Sequence, residues 1–169
     1  MKWTDQFVAQ LSDEAPRTRR TLDRFPSGHD DWKPHRKSMT FGNLARLVAT
    51  MPTWFPMIIN MDELDIGGGA GSGYRQAPLR TAAELVAAHD KAVADARAAL
   101  STTSDDHLMK PWRLLVSGKV VSEQPRNVAI RDTFMHWSHH RGQLTVYLRL
   151  VGAPVAAIYG PSADDTTFA

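Results

Sequence analysis

Three histidines within five positions are the residues of this chain best suited to chemistry: His136, His139 and His140. His136 and His140 are four residues apart, so in a helix both imidazoles leave the same face, about 6 Å apart along the axis. Neutral imidazole nitrogens bind zinc, nickel, iron or copper. The spacing therefore predicts that His136 and His140 bind one divalent metal ion. His139 is expected to be a third ligand or a hydrogen-bonding partner of a ligand.

Other polar residues of the same segment are candidates for supporting roles. Asp132 lies one turn before His136 and is predicted to accept the remaining N–H of that imidazole. Arg141 and Tyr147 are predicted to contact a substrate, although a salt bridge between helices explains an arginine here equally well. The alternative for the whole cluster is structural, since histidines in helices commonly face solvent or make satisfied contacts in a core.

Hydrophobic residues recur at helical spacing in four stretches, and these must position the histidines. The first stretch runs over 4–25, where Pro16 predicts either a kink or a new helix start capped by Ser12. The fourth stretch carries the histidines. It is predicted to run from Asn127 to Gly152, because a glycine suits the position just after a helix.

The second and third stretches have their own start signals. The second is predicted to begin after Thr40 as N-cap and to be bent or divided by Pro52 and Pro56, because each proline removes a backbone donor. The third begins at a capping box in which Thr81 and Glu84 each satisfy a backbone N–H of the first turn.

Two connecting segments complete the predicted domain. The glycine-rich run 67–73 lacks the Gly-Lys-Ser/Thr of a phosphate-binding loop and is interpreted as a connector. Segment 112–121 contains alternating apolar residues around Ser-Gly and predicts a short hairpin or an extended loop before the last helix. The sequence thus predicts a single all-α domain over 1–169, built as a four-helix bundle.

Composition excludes several classes of function. The 20 basic and 18 acidic side chains give a charge of only +2 and are scattered, which argues against nucleic-acid binding. The chain has no cysteine, so disulfides, thiolate ligands and a cysteine nucleophile are excluded. The N-terminus has no apolar signal region, and no apolar run reaches the roughly 18–20 residues of a membrane span. A cytoplasmic protein without membrane contact is expected.

The histidine segment, residues 136–149, resembles the signature of the DinB-like (YfiT-like) family of four-helix proteins. Segments 32–35, 37–45 and 158–165 are also similar, so the resemblance covers most of the chain. It implies a bundle with a three-histidine site for nickel or zinc, and a homodimer. Some relatives are metal-dependent thiol S-transferases or isomerases that use low-molecular-weight thiols.

The resemblance implies that His136 and His140 are two of the ligands and that the third belongs on the second helix. At that position this chain has Leu47, which offers no donor atom. His139, His35 or His89 would have to replace it. The resulting hypothesis is a metal-dependent transferase or hydrolase with an incomplete histidine site, acting on an unknown small molecule such as a low-molecular-weight thiol. The alternative is a catalytically degenerate relative, a small-molecule binding or dimeric interaction module without metal.

Overall fold

A computed structural model describes residues 2–67 and 78–167 of the chain. Apart from Gly67, the predicted connector at 67–73 lies outside the described residues. In chain order the elements are α1 (Trp3–Asp23), α2 (Phe41–Thr50), α3 (Trp54–Asn60), β1 (Glu63–Asp65), α4 (Ala82–Thr102), α5 (Asp105–Leu108), β2 (Pro111–Val116), β3 (Lys119–Pro125) and α6 (Arg126–Leu150). A 3-10 turn over Met51–Thr53 joins α2 to α3.

The described residues are mostly helical, as predicted, but they also form a small sheet, so the fold is not purely α. The strand order is β1-β2-β3, with β1 parallel and β3 antiparallel to β2. Strands β2 and β3 are the predicted hairpin. Their turn places Ser117 at φ 52° and Gly118 at φ 76°, the left-handed conformations that match the twist of a two-residue hairpin. Asp65 stabilises the turn by accepting the N–H groups of both residues, at 2.9 and 2.7 Å.

Helix α1 is continuous through Pro16, so the prediction of a new start capped by Ser12 is wrong. The Ser12 hydroxyl instead donates to the carbonyl of Val8 at 2.8 Å, a bond within the helix. Pro16 is exposed, whereas Ala15 before it and Thr18 two residues after it are buried. Packing of this buried face keeps the helix in one piece despite the missing backbone donor.

The second stretch is divided at its prolines, as predicted. Thr40 caps α2 by accepting the backbone N–H of Asn43 at 3.4 Å. Pro52 lies in the 3-10 turn, and Pro56 lies in the first turn of α3, where its absent N–H costs no internal hydrogen bond. A single amphipathic stretch thus becomes two short helices that bend around the core.

The ends of α4 and α6 also agree with the sequence signals. The capping box is formed, with Glu84 N donating to Thr81 Oγ1 at 3.2 Å and Thr81 N donating to Glu84 Oε2 at 3.0 Å. Gly152 follows α6 at φ 76°, and the next backbone N–H, that of Ala153, bonds to the carbonyl of Leu148 at 3.0 Å. These local contacts start α4 and stop α6.

One face of α6 lies in the core, packed against α2 and α3. The Trp137 side chain is 1% exposed and donates its indole N–H to the carbonyl of Val48 at 2.9 Å, which ties α6 to α2. None of the helices in the described part of the chain combines the length and hydropathy needed to cross a bilayer. The buried α6 residues that share this face are Ile130, Phe134, Trp137, Leu144 and Leu148.

Candidate functional site

The two histidines at the centre of the sequence prediction lie together on consecutive turns of α6. The Nε2 atoms of His136 and His140 are 2.8 Å apart, and the ring centroids are 4.6 Å apart at an interplanar angle of 40°. The Nε2 atoms of the two imidazoles therefore point towards each other. This is the arrangement that the four-residue spacing predicts.

The donor geometry of this pair suits a metal ion. Two imidazole nitrogens on one tetrahedral ion lie about 3.3 Å apart, given metal–nitrogen bonds of about 2.0–2.1 Å. The pair would have to open by only about 0.5 Å, which small side-chain rotations provide. In the described residues, no group of three or more histidine, cysteine, aspartate or glutamate side chains is placed to hold a metal ion.

The site is buried on one side and open on the other. The His140 side is enclosed, with the residue only 9% exposed, whereas His136 is exposed and packs its ring against Trp54 at 5.4 Å between centroids. Desolvation lowers the pKa of His136, and the nearby His140 and His139 lower it further. His136 is therefore held in the neutral form, the form that binds metals.

Two residues beside the pair were missed by the sequence analysis as site residues. Trp54, at the start of α3, forms the aromatic wall next to His136. Gln143 lies one turn after His140, with its side-chain oxygen 2.7 Å from Nδ1 of that ring. The i,i+3 spacing of His140 and Gln143 is a signal that could have indicated this contact. No sequence pattern around Trp54 could have indicated its contact with His136, because Trp54 lies on α3 and the histidine lies on α6.

Among the described residues the hydrogen-bond partners of Asp132 are others than His136, and its predicted hydrogen bond to that imidazole stays a prediction. Its carboxylate accepts the side-chain N–H groups of Gln124 at 3.4 Å and Arg131 at 3.0 Å. The physical reason is that β3 leads directly into α6. The end of the hairpin therefore lies over the first turns of the helix and brings Gln124 to this carboxylate.

His139 stands beside the pair. Its ring centroid is 5.2 Å from that of His140, at 63°, and the side chain is exposed. On the helix it lies about 60° from His136, towards solvent. A direct role as ligand stays a prediction.

Arg141 is built into the protein interior, which supports the salt-bridge interpretation over substrate contact. The residue is 1% exposed and pairs with Glu14 of α1. It also donates to the hydroxyl of Thr18 at 3.0 Å and to that of Ser138 at 3.1 Å, and its guanidinium lies 5.3 Å from the ring centroid of Tyr159. Arg141 lies within the buried stripe of α6 and faces α1.

Tyr147 lies on the same face of α6 as His140, two helical turns further along. Its hydroxyl donates to the carbonyl of Met39 at 3.3 Å, and its ring packs edge-on against Trp32 at 5.6 Å. These contacts anchor the loop before α2 to α6. The proposed substrate contact of Tyr147 stays a prediction.

Leu47, at the position where the family resemblance implies a third ligand, is apolar and half-buried. Leu47 packs against the core next to Val48, whose carbonyl accepts the Trp137 N–H. His89 is 1% exposed, with Nε2 3.1 Å from the carbonyl oxygen of Ala15, and burial lowers its pKa. His89 is therefore a core residue that ties α4 to α1. His35 is exposed and accepts a backbone N–H within its own loop.

Comparison with known proteins agrees with the fold and the signature segment. The model of the DinB family matches residues 1–167. The uncharacterized protein YrdA of Bacillus subtilis (strain 168) is 32% identical over 89 residues, which make up 52% of this chain and 51% of YrdA. The chain thus spans about half the length of the curated relative it matches.

Two solved structures share the fold. The DinB-like protein YjoA from Bacillus subtilis has a TM-score of 0.68 at 18% identity, covering 95% of this chain and 99% of that one. A DinB-like protein from Bacillus cereus ATCC 10987 has a TM-score of 0.69 at 19% identity, covering 92% and 97%. The chain belongs to the DinB family. At these identities the structural likeness speaks for the fold alone.

Proposed function

We propose that this chain is a metal-dependent enzyme of the DinB family, a thiol S-transferase or hydrolase. His136 and His140 would hold a divalent ion, zinc or nickel. The observation that carries the proposal is the 2.8 Å approach of their Nε2 atoms, with His140 enclosed and His136 open to solvent. In this arrangement the two Nε2 atoms lie close to the separation that a shared metal ion requires.

The side chains around the histidine pair favour the binding of a metal ion and a small molecule. The lowered pKa of His136 keeps a lone pair available at neutral pH. Trp54 covers one side of the His136 ring, which leaves the opposite side for a small molecule. A bound divalent ion supplies positive charge that lowers the pKa of a thiol or a water and makes it a nucleophile at neutral pH. Two protein ligands leave the other coordination positions to solvent and substrate.

The proposed substrate is a small molecule that contains, or reacts with, a low-molecular-weight thiol. The chain has no cysteine, so the sulfur in such a transfer must come from the substrate. Such thiols are kept reduced in the cytoplasm, which is the proposed location. We also propose that α1, α2 with α3, α4 and α6 act as a four-helix bundle and that the protein works as a homodimer, as the family resemblance implies.

A second candidate function is favoured by the apolar character of position 47. Leu47 is half-buried against the core where the resemblance implies a histidine ligand. A chain that had lost this ligand, and with it the metal, would serve as a small-molecule binding or dimeric interaction module. Both candidates use the same exposed surface beside His136 and differ in whether a metal is bound.

Metal content separates the two candidates. Protein purified without an affinity tag is titrated with Zn²⁺ and analysed for bound metal, together with His136→Ala and His140→Ala. We expect a stoichiometric ion in the parent protein and its loss from both variants. His35→Ala, which removes an exposed loop histidine, is the matched control and should keep the ion. Metal-free parent protein, with thermal stability unchanged in both site variants, would support the second candidate.

A further inference from the structure

The two histidines of the site differ in the hydrogen-bond partner of their Nδ1 atoms. Nδ1 of His140 lies 2.7 Å from the side-chain oxygen of Gln143. An amide oxygen only accepts hydrogen bonds, so the hydrogen must belong to Nδ1 of the imidazole. A neutral imidazole carries a single N–H, and therefore Nε2 of His140 presents a lone pair.

That lone pair faces His136. The distance of 2.8 Å between the two Nε2 atoms is that of a hydrogen bond, so His136 must donate its Nε2–H to His140. The three side chains form one directed chain of hydrogen bonds from His136 through His140 to Gln143. Among the contacts of the described residues, Nδ1 of His136 has no hydrogen bond that fixes its tautomer.

We infer that Gln143 is a positioning residue, which fixes His140 in the tautomer whose Nε2 lone pair points into the site, while the Nε2–H form of His136 is held by its hydrogen bond to His140 alone. The consequence for metal binding rests on the proposed function; the tautomer itself does not. Only His136 has to move its hydrogen for both lone pairs to face the same point. Half of the site is therefore preorganised by a residue that would touch no ligand. Partners of this kind orient histidine ligands in metal sites generally.

The tautomer preference of His140 can be measured directly by NMR. Nitrogen-15 spectra of the histidine rings, recorded on metal-free protein above about pH 7.5 where the rings are neutral, report which nitrogen carries the hydrogen. In the parent protein we expect His140 to carry it on Nδ1. Gln143→Leu, which has no acceptor, should lose that preference. Gln143→Glu, which keeps an acceptor oxygen in the same place, should retain it.

The same variants are then titrated with Zn²⁺. We expect Gln143→Leu to lower the affinity about 10- to 100-fold, as losses of such partners do. Gln143→Glu should bind close to the parent protein. Gln10→Leu, a glutamine on the exposed face of α1, is the matched control and should change neither tautomer nor affinity.

The outcomes separate this inference from the proposed function. An Nδ1–H tautomer of His140 that depends on residue 143, in protein that binds no Zn²⁺, supports the inference and removes the metal-dependent function. Zn²⁺ binding in protein whose His140 carries its hydrogen on Nε2, or whose tautomer is the same in Gln143→Leu, overturns the inference and leaves the function standing. Circular dichroism of each variant checks that α6 is intact.

Discussion

The indole N–H of Trp137 donates to the backbone carbonyl of Val48 at 2.9 Å, in the buried interface between α6 and α2. Trp137 directly follows His136, and Val48 directly follows Leu47. This bond therefore holds position 47 at the level of the histidine pair. The position at which the family resemblance implies a third ligand therefore lies on a helix whose placement against α6 is fixed.

Replacing Leu47 with histidine should complete the site. We expect Leu47→His to bind Zn²⁺ at least about tenfold more tightly than the parent protein, because catalytic zinc sites use three protein ligands. Calorimetric titration at constant pH measures the gain. Leu79→His adds an imidazole at another half-buried position packed on the core and should have no such effect. Equal affinity in folded Leu47→His protein would show that this position does not face the pair.

Mild acid should destabilise the protein. Burial lowers the pKa of His89, and desolvation together with neighbouring histidines lowers that of His136. As the pH falls below the ordinary histidine pKa of about 6.5, the unfolded chain then binds more protons than the folded chain. The free energy of unfolding should be level above this pH. Below it, the free energy should decrease until the pH reaches the lowered pKa values of His89 and His136 in the folded protein. Urea denaturation between about pH 7.5 and 5.5 measures this, above the range in which Asp165, with a pKa of about 2, titrates.

A variant identifies the contribution of His89 to this pH dependence. His89→Gln cannot titrate but keeps a side-chain N–H for the carbonyl of Ala15, the acceptor 3.1 Å from Nε2. We expect its free energy of unfolding to decline less steeply with acid, by at most about 1.4 kcal/mol per pH unit. The same slope in both proteins would mean that the buried imidazole is not the cause.

Arg141 should matter far more for stability than a comparable arginine on the same helix. Arg141→Met removes the 1% exposed guanidinium from Glu14, which is 12% exposed and keeps Arg17 as its ion-pair partner, and we expect a loss of about 2 kcal/mol. Arg149→Met breaks an exposed pair with Asp164 and should cost less than about 1 kcal/mol. Urea unfolding of both variants tests the difference. Similar losses would contradict the structural role assigned to Arg141.

Much of the helical framework could be predicted because its signals are local. The capping box at Thr81 and Glu84, the stop at Gly152 and the convergence of His136 on His140 each involve residues within one turn of each other. Backbone geometry alone brings such neighbours together, whatever the rest of the chain does. The relation of this chain to the DinB family also follows from a continuous segment, residues 136–149.

Contacts between distant parts of the chain were decided by packing. Asp132 binds Gln124 because the hairpin lies over the start of α6, and Arg126 is buried to 1% exposure because it bonds to the carbonyls of Pro111 and Met61. No spacing within α6 encodes these partners. They depend on where β2, β3 and the end of α3 lie. Hydrophobic burial, which is non-directional, sets that arrangement for the whole chain at once.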